Sequence, residues 1–395
     1  MKCIIMTNKL TVFLDFVFHF LPVSWHKAYF RAYNGQYSDN PKYVSMKLHE
    51  MEPTVKIYWE ISDASKKNDI PQYVNIVKQG SIKQVLVKNR CRYIVETGMG
   101  YYLDYQPQKL VNQIRRILLH NKKQFNLSTW HGTPIKCIGA QIEGFEGWNN
   151  KNLITTSNGV LCGSTYLKKI FEKAFVGVCP ILELGTPRTD ILFSNTEEQK
   201  NKIKEKLGIP VSKKVILYAP TFRKSIEDSG VKQLEQINLQ ELLFALHSKF
   251  GGDWMFVMRA HPLVQNSVNE LLDKTNNNKE FLSGNKYEDM MEYLSVSDIL
   301  LTDFSSSVFD YVLTDRPCFM FAHDRNEYEA NDRGIYKQMS FLPYHFSDTF
   351  QDLLLAIKEY DYSSAEEKRR AFLKEIGNIE DGNASEKAVN YLLSH

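Results

Sequence analysis

From Val55 onward the chain alternates short apolar runs with stretches of helical periodicity. VKIYWEI, KQVLVKN, CRYIVET, FNLSTW, GVLCGS and ILELG punctuate the first half, with a polar helix expected around Gln106 to Asn121. KKVILYAP, WMFVMRAHP, DILLTDFSSS and PCFMFAH repeat the rhythm in the second half. Apolar runs of this length between helices are the pattern of strands buried on both faces of a parallel sheet. The pattern predicts two successive doubly wound α/β sheets.

The charged stretch TEEQKNKIKEKLG, from Thr196 to Gly208, precedes Pro210 and reads as a solvated helix at a domain junction. The boundary is expected near residues 192 to 212, giving an N-terminal Rossmann-like domain over 1–200 and a C-terminal one over 201–395. A closing helix from about Ala365 to Leu393 is counted with the second. A chain of 395 residues exceeds what one core usually supports, in keeping with two domains. The segment Leu10 to Trp25 is apolar but interrupted by Asp15, His19 and Pro22, so it is too short and broken to span a bilayer. It reads as an amphipathic core helix. The alternative is a membrane-surface helix that uses Phe13, Phe16, Val17 and Phe20 as its apolar face.

Composition adds exclusions. Hydrophobic residues at 43% and charged residues at 24% are those of an ordinary globular protein. A formal net charge of +3, from 49 basic and 46 acidic side chains, gives no reason to expect a nucleic-acid partner. The six cysteines lack any C-x-x-C or zinc spacing and read as reduced thiols of a cytoplasmic protein. No carboxylate cluster has clear metal-ligand spacing, so no metal site is assigned and a Mg²⁺ requirement is left open.

In parallel α/β sheets ligands bind at the carboxyl ends of strands, and five such corners carry polar residues that a plain loop does not require. In Ser128–Lys136 (STWHGTPIK), His131 follows a strand, and Gly132 and Pro134 fix a tight turn beside Thr133 and Lys136. An imidazole there is suited to taking a proton from an alcohol that attacks phosphorus. At Arg259-Ala260-His261-Pro262, arginine offers a planar fork for phosphate oxygens and histidine a hydrogen bond to the same group. Thr302-Asp303-Phe304-Ser305-Ser306-Ser307 opens a helical stretch with hydroxyls suited to a diphosphate, although ordinary N-caps use the same residues. Arg223 and Lys224 close the fourth corner, and Arg188 stands in the fifth, GTPRTD. There is no G-x-x-x-x-G-K-[ST] loop, no G-x-G-x-x-G turn after a strand and no G-x-S-x-G elbow, which weakens kinase, dehydrogenase and α/β-hydrolase readings.

Taken together, TWHGTPIK, APTFR, RAHP, TDFSSSVFDY and EYEANDRGIY, with NGQYSDNPKY near the start and DGNAS near the end, resemble the CDP-glycerol glycerophosphotransferase family of teichoic acid and capsule polymer polymerases and primases. The likeness covers nearly the whole chain. It implies a GT-B-like fold of two Rossmann-like domains facing a central cleft, with a CDP-polyol donor held mainly by the C-terminal half and an acceptor on the N-terminal half. It implies His131 as base and His261 as a contact to the donor phosphates. Thr302, Asp303, Ser305 and Ser306 would hold the diphosphate, Arg223 and Arg259 would add positive charge, and Thr133, Lys136, Arg188 and Arg333 would meet acceptor or phosphate.

The intact HGTP turn tilts toward chain extension, and the chain is about the size of the catalytic unit alone. The implied reaction moves glycerol phosphate, or a similar polyol phosphate, from CDP-glycerol or CDP-ribitol to a lipid-linked glycan or polyol-phosphate acceptor, releasing CMP at the inner face of the cell membrane. The competing expectations are a GT-B glycosyltransferase using a nucleotide sugar and a catalytically silent membrane-surface scaffold.

Overall fold

The computed structural model describes residues 9–62, 69–98, 123–142, 157–175, 179–194, 196–221, 234–259, 279–325, 336 and 341–395. They divide into two compact units. One comprises Met1–His131, Gly139–Asp190 and Ile379–His395, the other Gly132–Ile138 and Ile191–Asn378.

The first unit is built on seven parallel strands: β1 (Ser24–Arg31), β2 (Lys56–Ile61), β3 (Asn75–Lys78), β4 (Cys91–Glu96), β5 (Phe125–Ser128), β6 (Gly159–Leu161) and β7 (Ile181–Leu182). Their order is β3-β2-β1-β4-β5-β6-β7. The second unit holds β8 (Lys214–Ala219), β9 (Trp254–Met258), β10 (Phe281–Ser283), β11 (Ile299–Thr302), β12 (Cys318–Phe321) and β13 (Phe346–Ser347), in the order β10-β9-β8-β11-β12-β13. Both sheets run outward in two directions from a central pair, the doubly wound pattern whose reversal point opens a crevice for ligands at the strand carboxyl ends. That pair is β1 and β4 in the first sheet and β8 and β11 in the second. Every residue of β4, β9, β11 and β12 is buried, which is why β9, β11 and β12 read as apolar runs, while β4 also buries Arg92 and Glu96.

Three expectations change. KQVLVKN forms a helix, Ile82–Arg90, rather than a strand. Ser81 caps it by accepting the Gln84 N–H at 3.1 Å, and Gln84, Val85, Lys88 and Asn89 are buried along one helical face. The segment before Val55 contributes β1, whose flanking His26, Lys27 and Arg31 mask the buried triplet Ala28, Tyr29 and Phe30. The expected closing helix is two, Tyr362–Glu375 and Ala384–Leu393, with Gly377 in a left-handed conformation (φ 59°) between them.

The second of these helices belongs to the first unit, so that unit takes in Ile379–His395 as well as Met1–His131 and Gly139–Asp190. Ala388, Val389 and Leu392 join the core that holds Phe30, Val44, Trp59 and Leu127. Fully burying a large aliphatic side chain is worth about 1.5–3 kcal/mol, enough to hold a ten-residue helix that is marginal in isolation.

The junction helix Glu197–Leu207 forms as read, with a Thr196/Gln199 capping box and Gly208 in the left-handed region at its end. The helix Lys9–Phe18 also forms, but with the opposite face inward from that of a core helix. Asp15 is buried and accepts from Asn89 Nδ2 at 2.8 Å and Lys88 Nζ at 3.4 Å. Phe13 (61%), Phe16 (46%), Val17 (42%) and Phe20 (68%) lie open to solvent. Among the described residues no helix is long and apolar enough to cross a membrane.

Candidate active site

His131 follows β5, the strand beside β4 in the first sheet. The Thr129 N–H donates to the Glu96 carbonyl at 2.8 Å, carrying the β4–β5 ladder one residue past the strand end. There the chain breaks out of the sheet. Trp130 adopts φ 53° and Gly132 φ 111°, both in the region that favours glycine. A non-glycine residue in the left-handed region costs roughly 1–2 kcal/mol, so Trp130 needs surrounding contacts to keep it there. Its buried indole packs edge-on against Phe171 and Phe175, with centroids at 5.3 and 5.6 Å, and stacks on the His131 imidazole at 4.2 Å.

A second contact comes from the first turn of the helix Asp39–Met51. Asn40, fully buried, donates from Nδ2 to the Thr129 carbonyl at 3.0 Å and the Trp130 carbonyl at 2.9 Å. Its Oδ1 accepts the Arg188 N–H at 3.0 Å. Asp39 pairs with Arg188 through Oδ1 and Nη1 at 2.9 Å. His131 is an exposed residue, yet enough protein surrounds its ring that desolvation lowers its pKa below the ordinary imidazole value. Asp39 opposes that shift, Arg188 adds to it, and a hydrogen bond to the Thr97 backbone opposes it.

The GTPRTD corner that supplies Arg188 is itself held by the segment ahead of the last helix. Glu380 Oε2 accepts the Thr186 N–H at 3.0 Å and the Thr189 hydroxyl at 3.2 Å. Asp190 caps the last helix by accepting the Ala384 and Ser385 N–H groups at 2.9 and 2.7 Å. Burial pushes the Glu380 carboxyl up to about 7, with a smaller push from Asp190. Gly163 is needed at this joint, because a Cβ there would lie 1.8 Å from Glu380 Oε1.

In the second unit the reversal point is stitched by Asp303 and Thr302. Asp303 Oδ1 accepts the Thr221 N–H at 2.8 Å, the Thr221 hydroxyl, and the Phe304 N–H at 2.6 Å. The Thr302 hydroxyl donates to the Ala219 carbonyl at 2.6 Å, across the pair Thr302–Ala219 of the β8–β11 register. Both side chains are fully buried and hold the corner from within. Ser305 and Ser306 are half-buried, and the Ser305 and Ser307 hydroxyls meet at 2.9 Å. The helix they open, Ser307–Tyr311, is only five residues long, and the Ser306 side chain does not cap it.

Arg259 ends β9 with its guanidinium turned into the adjacent chain. It donates to the carbonyls of Gly284 (2.9 Å), Tyr287 (2.5 Å) and Glu288 (2.5 Å) and lies over the Tyr293 ring. Three of its five donors are thereby committed to shaping the 284–288 loop.

Thr133 and Lys136 are half-buried and group with the second unit. There the Tyr336 N–H donates to the Ile135 carbonyl at 3.0 Å, and the Tyr336 hydroxyl accepts the Ile138 N–H at 2.9 Å. This joins the end of EYEANDRGIY to the HGTPIK turn. His261, Arg223, Lys224 and Arg333 lie outside the described residues. Among the described residues no group of three or more His, Cys, Asp or Glu converges as a metal site.

Sequence reasoning gave no role to Asp39, Asn40, Glu380 or Tyr336. The first two and the last stand inside motifs already noted, NGQYSDNPKY and EYEANDRGIY, and that was the one available signal. Glu380 precedes DGNAS by a single residue and carried none.

The profile of the family described as CDP-Glycerol:Poly(glycerophosphate) glycerophosphotransferase matches residues 13–394. A teichoic acid glycerol-phosphate transferase of Staphylococcus aureus is 30% identical over 377 residues, covering 91% of this chain and 90% of that one. A teichoic acid poly(glycerol phosphate) polymerase of Staphylococcus epidermidis is 30% identical over 376 residues, covering 90% of this chain but 49% of the relative, so the chain spans about half that protein's length. The solved structure of the wall teichoic acid polymerase TagF superposes with a TM-score of 0.79 at 26% identity, over 98% of this chain and 94% of that one, which gives the present chain a GT-B fold. With the WHGTP turn, the stitched β8–β11 corner and a match along nearly its whole length, the chain belongs to the CDP-glycerol:poly(glycerophosphate) glycerophosphotransferase family.

Proposed function

We propose that this protein transfers glycerol phosphate from CDP-glycerol to a hydroxyl of a teichoic-acid-like acceptor and releases CMP. The observation that carries the reading is His131: an exposed residue on a turn fixed by Trp130 and Gly132, with a pKa held below the ordinary value so that the ring is neutral at physiological pH. A neutral ring nitrogen takes the proton of the acceptor hydroxyl as its oxygen attacks the β-phosphorus. The bond from that phosphorus to the bridging oxygen breaks, and CMP leaves with the oxygen and its charge. No covalent enzyme intermediate is required.

The donor phosphates are assigned to Ser305, Ser306, His261 and Arg223. Thr302, Asp303 and Arg259 serve by fixing the corners that carry these groups, a role supported by their buried hydroxyl, carboxylate and guanidinium contacts. Thr133, Lys136, Arg188 and Arg333 are retained as acceptor or phosphate contacts, with Arg188 acting through its pair with Asp39. The acceptor is lipid-linked in this reading. The open stripe Phe13, Phe16, Val17 and Phe20 supports peripheral contact with the membrane that carries it.

The test is CMP release by the purified protein from CDP-glycerol, CDP-ribitol and a UDP-sugar, each with glycerol-phosphate and glycan acceptors. Acceptor-dependent CMP from CDP-glycerol supports the reading. Turnover of the UDP-sugar alone moves the chain to sugar transfer. For the membrane contact, Phe13→Asp/Phe20→Asp should abolish co-sedimentation with anionic liposomes, and undiminished binding would remove the stripe from the account.

A further inference from the structure

Two successive carbonyls, those of Thr129 and Trp130, converge on one side-chain amide, that of Asn40. In an extended strand neighbouring carbonyls point to opposite sides, so a single amide cannot reach both. They converge because Trp130 is left-handed, and the Asn40 clasp holds only while it stays so. The same residue lies immediately before His131 and stacks on its ring. Asn40 is therefore tied to a backbone torsion that helps aim the imidazole.

The chemistry of the position is narrow. A carboxamide offers two donors and an acceptor, and here the donors meet the two carbonyls while the acceptor meets the Arg188 N–H. Aspartate in its place would present oxygens to carbonyls. The preceding residue, Asp39, is also left-handed (φ 61°), and its Oδ1 accepts both the Asn40 N–H at 2.8 Å and Arg188 Nη1 at 2.9 Å. Clasp and ion pair thus share a backbone joint. Among the described residues, the charged groups that act on the His131 ring are the two members of that pair.

We infer that Asp39, Asn40 and Arg188 are positioning residues for His131: Asn40 locks the Trp130 conformation that aims the ring, and the Asp39–Arg188 pair sets the balance of charge beside it. The effect on turnover rests on the reading of His131 as the base, whereas the cradle itself does not.

The experiment is NMR titration of the full chain labelled at histidine, with the His131 signal identified by its loss in His131→Gln. Asp39→Asn, which keeps a residue type tolerant of the left-handed region, removes the negative charge and should move the His131 midpoint down. Arg188→Gln removes the positive charge and should move it up. Opposite shifts from the two halves of one ion pair are what a role in tuning His131 requires. Shifts in the same direction, or none, overturn the inference whether or not the enzyme turns over.

Asn40→Ala removes the hydrogen bonds to the Thr129 and Trp130 carbonyls and from the Arg188 N–H and puts the fold at risk, so the two charge variants carry the decision. If Asn40→Ala does fold, kcat should fall about 10–100-fold with the donor KM unchanged, as for a misaimed catalytic group. A raised donor KM with intact kcat counts against the aiming role.

Discussion

Asp303, just past the end of β11, grips Thr221, just past the end of β8, through one carboxylate oxygen that accepts both its N–H and its hydroxyl. These are the strands between which the order of the second sheet reverses, so a buried carboxylate sets the width of the corner where a parallel α/β sheet receives its ligand.

Replacing that carboxylate is expected to destabilise the second unit and weaken donor binding together. Asp303→Ala removes the carboxylate oxygen that accepts from the Thr221 N–H, the Thr221 hydroxyl and the Phe304 N–H. At about 1.5–3 kcal/mol for a hydrogen bond to a charged group, and after partial relaxation, the loss should be about 2–4 kcal/mol. Asp303→Asn keeps one acceptor oxygen and should fall between. Urea unfolding and CDP-glycerol binding measure both effects; an unchanged midpoint with unchanged affinity would remove Asp303 from this role.

The pH dependence of turnover follows from the direction of the His131 shift. A base must be neutral to act, and this imidazole loses its proton below the ordinary value of 6.5. The acid limb of kcat/KM should therefore have its midpoint below 6.5, with activity full through neutrality and lost as pH falls. A midpoint above 6.5 contradicts the geometry around the ring.

Glu380 should make the docking of the last helix sensitive to pH. Its carboxyl is raised in the folded state to about 7, so the stability it contributes is complete below the unfolded carboxylate value and is lost as pH rises through about 7. The difference between the two plateaus is roughly 3 kcal/mol. Glu380→Gln keeps an oxygen to accept from Thr186 and Thr189 but does not ionise. The gap in melting temperature between this variant and the parent should open in the variant's favour from pH 5 to pH 8. A constant gap would show that Glu380 does not titrate in this range.

Tyr336→Phe should loosen the HGTPIK turn without disturbing the core. The Ile138 N–H loses its acceptor while the ring remains. A lost hydrogen bond of about 1 kcal/mol corresponds to about fivefold faster amide exchange through local opening. Hydrogen exchange over residues 132–138 reads this directly, and unchanged protection would separate Tyr336 from the turn.

Much of the fold was legible in the sequence, and the reasons for the exceptions are physical. β8, β9, β11 and β12 are wrapped in protein on both faces and so read as apolar runs. β3, β10 and β13 are edge or near-terminal strands of two to four residues, too short to show a period. The helix Ile82–Arg90 was misread because its buried face carries Gln84, Lys88 and Asn89, leaving Val85 and Val87 to imitate a strand.

The site divides in the same way. Strand-end motifs are visible as local punctuation, so the corners that carry His131, Asp303 and Arg259 stand out in the sequence. The direction of a side chain is set by its partners, and the partners of Arg259 are carbonyls 25 to 29 positions away. Asn40 stands 89 and 90 positions from the carbonyls it holds, a relationship that no local pattern encodes.

The most direct test of the account compares acceptor-dependent CMP release from CDP-glycerol by the parent protein and by His131→Ala, with donor affinity measured on both. The account predicts a loss of about 10²–10⁴-fold in turnover with donor affinity preserved. Turnover that survives the substitution at the parent rate would contradict it.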